Sequence, residues 1–112
     1  MKKTISINTV TKLIGGINQL QVEAGTNGPQ EGDSGHGCRT FIRISEEGGT
    51  DWNVAVDGEQ GDDGIFESPS AIEITLGGDS ELSTMIRALE FALAALKGTA
   101  EGGTPKSRET TL

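Results

Sequence analysis

The sequence contains only one cysteine and one histidine, the residues that form disulfides and bind zinc. It also contains one tryptophan and no tyrosine. A single cysteine excludes an internal disulfide. Aromatic residues make up 4% of the chain and hydrophobic residues 33%, which predicts a modest core. No apolar run has the length of a membrane span or a signal peptide, so we expect a reducing, cytoplasmic location.

Basic residues are also scarce, with nine lysines and arginines against seventeen aspartates and glutamates, for a formal net charge of -8. Residues 46–67 contain no basic residue. Their acidic residues are Glu46, Glu47, Asp51, Asp57, Glu59, Asp62, Asp63 and Glu67. Affinity for nucleic acid comes from neutralised phosphates, so we do not expect direct nucleic-acid binding.

Short runs of alternating apolar and polar residues, separated by glycine-rich turns, predict that strands come first in the chain. The expected strands cover residues 4–10, 17–24, 38–45, 51–57 and 71–76. Residues 46–50, which include Gly48 and Gly49, have the length of a hairpin turn between the third and fourth strands.

One long helix is predicted near the C-terminus. Its apolar residues recur on a single helical face, here called the apolar stripe: Leu82, Met85, Ile86, Leu89, Leu93 and Leu96. Asp79 or Ser80 is expected to cap the helix, and Gly98 is expected to end it. We expect the stripe to cover the sheet, although a contact surface between two copies is an alternative.

These elements predict an α+β fold, with a small antiparallel sheet of about five strands covered by one C-terminal amphipathic helix. We expect a single domain over residues 1–97 and a disordered tail over residues 98–112. Five short strands and one helix leave a face of the sheet bare, so we also expect a homo-oligomer.

The most informative segment is residues 31–40, Glu-Gly-Asp-Ser-Gly-His-Gly-Cys-Arg-Thr. Its glycines let backbone N–H groups approach an anion, and Arg39 supplies a positive charge. We predict a site for a phosphorylated small molecule, with Trp52 stacking on a base or sugar. The predicted site residues are Asp33, Ser34, Gly35, His36, Gly37, Arg39, Thr40, Arg43 and Trp52. The alternative is a plain connection between strands, with Phe41 and Trp52 in the core.

Enzymatic interpretations of this segment are weaker. Residues 32–35 spell the Gly-Asp-Ser-Gly nucleophile signature of chymotrypsin-like proteases, but His36 replaces the next glycine and is the only histidine. A small hydrolase with His36 as base and Ser34 or a water as nucleophile is the third hypothesis. The leading hypothesis assumes no enzymatic activity and no cofactor.

The sequence offers too few ligands for a metal site. His36 and Cys38 are good zinc ligands and Asp33 could be a third, yet there is no Cys-x-x-Cys pair and no second histidine. The acidic residues 57–64 do not fit the spacing of an EF-hand calcium loop. We therefore predict no metal site.

Residues 32–40, Gly-Asp-Ser-Gly-His-Gly-Cys-Arg-Thr, resemble a Gly-Asp-Ser-Gly-His-Gly-x-Arg-Thr loop of small phage and prophage proteins. The size and acidity also resemble those of phage anti-defence proteins. This resemblance implies a protein that acts in a bacterial host and sequesters a cyclic-nucleotide or ADP-ribose immune signal without cleaving it. The alternative in the same setting is an acidic nucleic-acid mimic that occupies the basic groove of a host defence protein, such as a CRISPR effector.

Overall fold

The structure, a computed structural model, describes residues 4–31, 35–58, 63–110 and 112. Across these ranges the strands are β1 (Thr9–Ile14), β2 (Leu20–Thr26), β3 (Arg39–Glu46), β4 (Asn53–Val56), β5 (Gly64–Glu67) and β6 (Ala71–Gly77), and the helix is α1 (Asp79–Lys97). A four-stranded sheet has the order β1-β2-β3-β6, and β4 and β5 form a two-stranded sheet. The predicted α+β class is confirmed.

The chain forms two compact units. One contains Thr9–Gly25 and Phe41–Ile74, which include most of the four-stranded sheet and the β4-β5 pair. The other contains Thr26–Thr40 and Thr75–Thr110, which include the connection between β2 and β3 and the whole of α1. Residues 99–110 form no helix or strand, while a single domain over residues 1–97 and a disordered tail stay predictions.

The first hairpin lies later in the chain than the sequence predicts. β1 and β2 pair antiparallel, with Thr9 opposite Gly25 and Ile14 opposite Leu20. The turn between them is possible because Gly15 has a φ of 99° and accepts a hydrogen bond from the Gln19 side chain at 3.2 Å. A hairpin's turn sets its register, so β1 occupies residues 9–14 instead of 4–10.

Hydrogen bonds at the end of β3 show its two neighbours. The Glu46 amide donates to Ser70 O at 2.8 Å, and the Glu47 amide donates to Gln19 O at 3.0 Å. An ion pair between Arg43 of β3 and Glu73 of β6 adds a side-chain contact across the sheet. Arg43, one of the predicted site residues, therefore already has a carboxylate partner.

The predicted hairpin between the third and fourth strands is wrong. β4 pairs with β5, with Asn53 opposite Glu67. Residues 46–50 instead form a turn around the Glu46 carboxylate, which accepts the amides of Gly48 at 2.6 Å and Thr50 at 3.0 Å. A Cβ at Gly48 would lie 2.8 Å from Ile17 O, so this close approach requires glycine.

Helix α1 ends as predicted but begins differently. Gly98 has a φ of 76°, and its amide donates to Ala95 O at 3.1 Å, which confirms the predicted C-terminal end. The N-cap is Gly78, and no described side chain caps it, so the predicted cap by Asp79 or Ser80 is wrong. Asp79 is the first helical residue and accepts a hydrogen bond from elsewhere in the chain.

The apolar stripe is buried only at its first residue. Leu82 is 9% exposed, whereas Ile86, Leu89 and Leu93 are 50–53% exposed and Leu96 is 88% exposed. Beyond its first turns the helix thus presents its apolar face to solvent. No helix within the described ranges has the length and hydropathy needed to cross a membrane.

The turn after β3 predicts a pH dependence of stability. The Thr50 amide is the largest cause lowering the pKa of Glu46, desolvation acts in the opposite direction, and the amides of Gly48 and Gly49 lower the pKa further. A pKa below the unfolded-state value means that ionised Glu46 stabilises the fold at neutral pH. This stabilisation is lost as the pH falls through the folded-state pKa.

We therefore expect Glu46→Gln to lower the free energy of unfolding at pH 7 and to change it much less at the acid end, below the folded-state pKa. Urea unfolding followed by Trp52 fluorescence from pH 7 down to about pH 3 measures both effects. Glu47→Gln is the matched control, since its carboxylate accepts no backbone amide among the described residues. Equal pH profiles for the two variants would contradict this role of Glu46.

Candidate functional site

The β2–β3 loop, residues 27–38, is held at its base by Asn27. The Asn27 amide donates to Arg39 O at 3.3 Å, and its Oδ1 accepts the Arg39 amide at 2.8 Å. Its Nδ2 donates to Gly37 O at 3.0 Å. One asparagine thereby extends the pairing of two strands into the loop, a role that sequence reasoning missed.

Two threonines and the cysteine form a cluster beside Asn27, in which Cys38 and Thr40 are buried and Thr26 is exposed. Thr26 Oγ1 donates to Arg39 O at 2.9 Å, and Thr40 Oγ1 donates to Thr26 Oγ1 at 3.1 Å. Cys38 is fully buried, with its Sγ 3.9 Å from Thr26 Oγ1. Thr40 is 7% exposed. The Thr40 hydroxyl, a predicted ligand donor, is thus used inside the protein.

The N-terminus of α1 anchors the other side of the loop. Asp79 Oδ1 accepts the Gln30 amide at 2.8 Å, and the Gly78 amide donates to Cys38 O at 3.0 Å. Gly35 is buried with a φ of 77°, and a Cβ there would lie 2.5 Å from Asp79 Cγ. A carboxylate in the first helical turn is also favoured by the helix dipole.

Arg39 is positioned by the carbonyl groups of its own loop. Its Nη1 donates to His36 O at 2.6 Å and to Cys38 O at 2.8 Å. Its guanidinium also lies against Gly77, where a Cβ would be 3.1 Å from Nη1. The side chain is half-buried and is held before any ligand arrives.

The two Nη1 protons of Arg39 are both used by these carbonyls, which leaves the N–H groups of Nε and Nη2. Neither of them has an acceptor among the described residues. We call this edge the Arg39 fork, because its two parallel N–H groups match the spacing of two oxygens of a phosphate or carboxylate. A lysine at this position would have no such edge.

The helix N-terminus itself is not a free anion site. The Glu81 carboxylate lies over Gly78, where it would contact an added Cβ, and Asp79 holds the loop. These two carboxylates already complement the positive end of the helix dipole. Any anion that binds near the loop therefore depends on Arg39 rather than on α1.

The remaining predicted site residues divide between the two units. Gly35, His36 and Gly37 lie in the loop with Arg39, and His36 is exposed. Arg43 and Trp52 belong to the other unit, where Arg43 pairs with Glu73 and Trp52 Nε1 donates to Pro69 O at 2.9 Å. Asp33 and Ser34 lie outside the described residues.

The described part of the chain shows no arrangement of side chains that supports metal binding or hydrolysis. It contains no group of three or more His, Cys, Asp or Glu side chains able to hold a metal. Cys38 is inaccessible to solvent. Ser34, the nucleophile of the hydrolase hypothesis, lies outside the described residues, as do Glu59 and Asp62 of the acidic segment.

The contact between Gly35 and Asp79 predicts a large effect of one methyl group. Gly35 and Gly28 have nearly equal φ angles of 77° and 78°, but nothing lies within 4 Å of a Cβ at Gly28. In both alanine variants the left-handed backbone should lower the free energy of unfolding by about 1–2 kcal/mol. Gly35→Ala should cost about 2 kcal/mol more because Asp79 must move. Urea unfolding compares the two variants, and equal losses of stability would show that this contact is not tight.

No known protein family, curated protein or solved structure matches the chain. The described residues supply loop segments held by hydrogen bonds, two hydroxyls bonded to each other beside a buried thiol, and one positioned guanidinium edge.

Proposed function

We propose that the chain is a non-enzymatic binding protein that holds a phosphorylated small molecule of nucleotide type at the Arg39 fork. The observation that carries the proposal is the double use of Nη1 by His36 O and Cys38 O, which leaves the N–H groups of Nε and Nη2 as a pair without an acceptor among the described residues. An oxyanion receives two charge-assisted hydrogen bonds from this edge.

The described parts of the loop, residues 27–31 and 35–38, support the proposal because hydrogen bonds already hold them. Asn27 and Asp79 make these bonds, so binding at Arg39 does not have to order these segments. His36 is exposed next to the residues that hold Arg39 and can donate a further hydrogen bond. Ser34 and Asp33 stay proposed ligand contacts from the sequence alone.

The resemblance to phage anti-defence proteins extends the proposal to sequestration of a host immune signal in the cytoplasm of a bacterial host. A sequestering protein needs affinity and no catalytic groups, which agrees with a site built on one guanidinium. The acidic nucleic-acid-mimic hypothesis is less favoured, because the carboxylates of Glu46 and Asp63 already accept hydrogen bonds from backbone amides of this chain.

The decisive experiment is thermal unfolding against nucleoside mono- and diphosphates, cyclic nucleotides, ADP-ribose, inorganic phosphate and succinate. A ligand at 100 times its Kd stabilises the native state by about 2.7 kcal/mol, which raises Tm by several degrees in a chain of this size. We expect such a shift with at least one phosphorylated compound and a smaller one with succinate, whose carboxylates can pair with the fork but which has no base or sugar.

Two substitutions test whether binding needs the paired donors of the Arg39 fork or only a positive charge. Arg39→Lys keeps the positive charge but removes the paired donors, so it should weaken binding at least tenfold. Arg43→Gln removes a cation that is paired with Glu73 and should leave affinity unchanged. The unliganded Tm of each variant controls for folding. Wild-type affinity in Arg39→Lys would overturn the assignment of the site.

A further inference from the structure

The exposed part of the apolar stripe has the pattern of a helix that packs on another helix. Leu82, Leu89 and Leu96 recur every seventh residue, with Met85 and Ala92 between them at the complementary positions of the repeat. Ile86 and Leu93 widen the stripe on one side, as in helices of bundles. Helices in proteins gain most of their stability from packing of an apolar face, and the residue of the stripe that α1 buries is Leu82.

A groove lies along the flank of the same helix. It has a volume of about 320 Å³ and is lined by Leu76, Ser80, Glu81, Thr84, Met85 and Ala88. Met85 belongs to both the groove and the stripe. Leu96, at the other end of the helix, is 88% exposed and has the size and apolar character to enter such a groove. One chain therefore carries both the projecting side chain and a place to receive it.

We infer that two copies of this chain form a dimer through α1, with the two helices antiparallel. In this arrangement Leu96 of each copy packs against Met85 and Ala88 of the other. The inference goes beyond ligand binding and does not depend on Arg39.

Charge selects the antiparallel direction. The first turn of α1 contains Asp79 and Glu81, and its last turn contains Lys97. A parallel pair would bring the acidic first turns together, whereas an antiparallel pair brings the acidic first turn of one copy level with the last turn of the other, which contains Lys97. Opposed helix dipoles favour the same direction.

The area is sufficient for a small dimer interface. Four aliphatic side chains that are half or more exposed, with the alanines between them, can remove on the order of 500 Å² per copy from water. A specific interface needs at least about 1,000 Å² in total from the two partners. The stripe therefore supplies what two copies of this helix require, without contributions from other surfaces.

The first test is the mass of the full chain by sedimentation equilibrium at about 10–100 μM, which is above a Kd of about 1 μM. We expect twice the monomer mass of 11.7 kDa. Leu96→Glu should weaken self-association at least tenfold, and it cannot unfold the protomer by itself because Leu96 is almost fully exposed. Arg87→Gln, at an exposed position outside the stripe, changes the charge by the same amount as Leu96→Glu and should stay dimeric.

The second test is a zero-length carbodiimide cross-link between Glu81 and Lys97, identified by mass spectrometry. Within one helix these residues are about 24 Å apart, so the cross-link can form only between copies. A monomeric wild type, or a Leu96→Glu variant that dimerises as well as wild type, would overturn the proposal. A dimer without the Glu81–Lys97 cross-link would overturn its antiparallel arrangement.

Discussion

The carboxylate of Asp79 is the point on which the candidate site depends. It accepts the Gln30 amide and packs against Gly35, so the first residue of α1 holds the β2–β3 loop at two places. The same carboxylate complements the helix dipole. Because the loop is fixed in this way, His36 O and Cys38 O can orient Arg39. The orientation of one guanidinium thus follows from the start of a helix far along the chain.

The shortage of apolar residues explains why hydrogen bonds have this role. Among the described residues the buried hydrophobic side chains are Cys38 and Leu82, with Thr40 as a buried polar neighbour. So small a core cannot determine a loop conformation by packing. Asn27 and Thr26 do so through directional bonds to the backbone. The same shortage leaves the apolar stripe exposed, where a second copy can cover it.

Local patterns in the sequence predicted much of the fold. The helix and its end at Gly98 followed from the spacing of leucines and a terminal glycine, and four of the strands followed from alternation. Local patterns did not predict the β4-β5 pairing or the N-cap at Gly78. The Glu46 carboxylate accepts an amide of the turn after β3, and the Asp79 carboxylate accepts the Gln30 amide instead of capping the helix. Propensity describes neighbours in sequence, and the Asp79 bond joins residues 49 positions apart.

Within the candidate site, residue types were easier to predict than their roles. Arg39 stood out by its charge among glycines, whereas Asn27 had no signal beyond a turn-forming residue type. Thr40 was predicted as a ligand donor, but its hydroxyl donates to Thr26 Oγ1. The net charge of -8 adds a constraint on both proposed contacts, since it repels an anion and a second copy alike. Each contact must therefore be made by short-range forces, which are directional bonds at the Arg39 fork and apolar packing along α1.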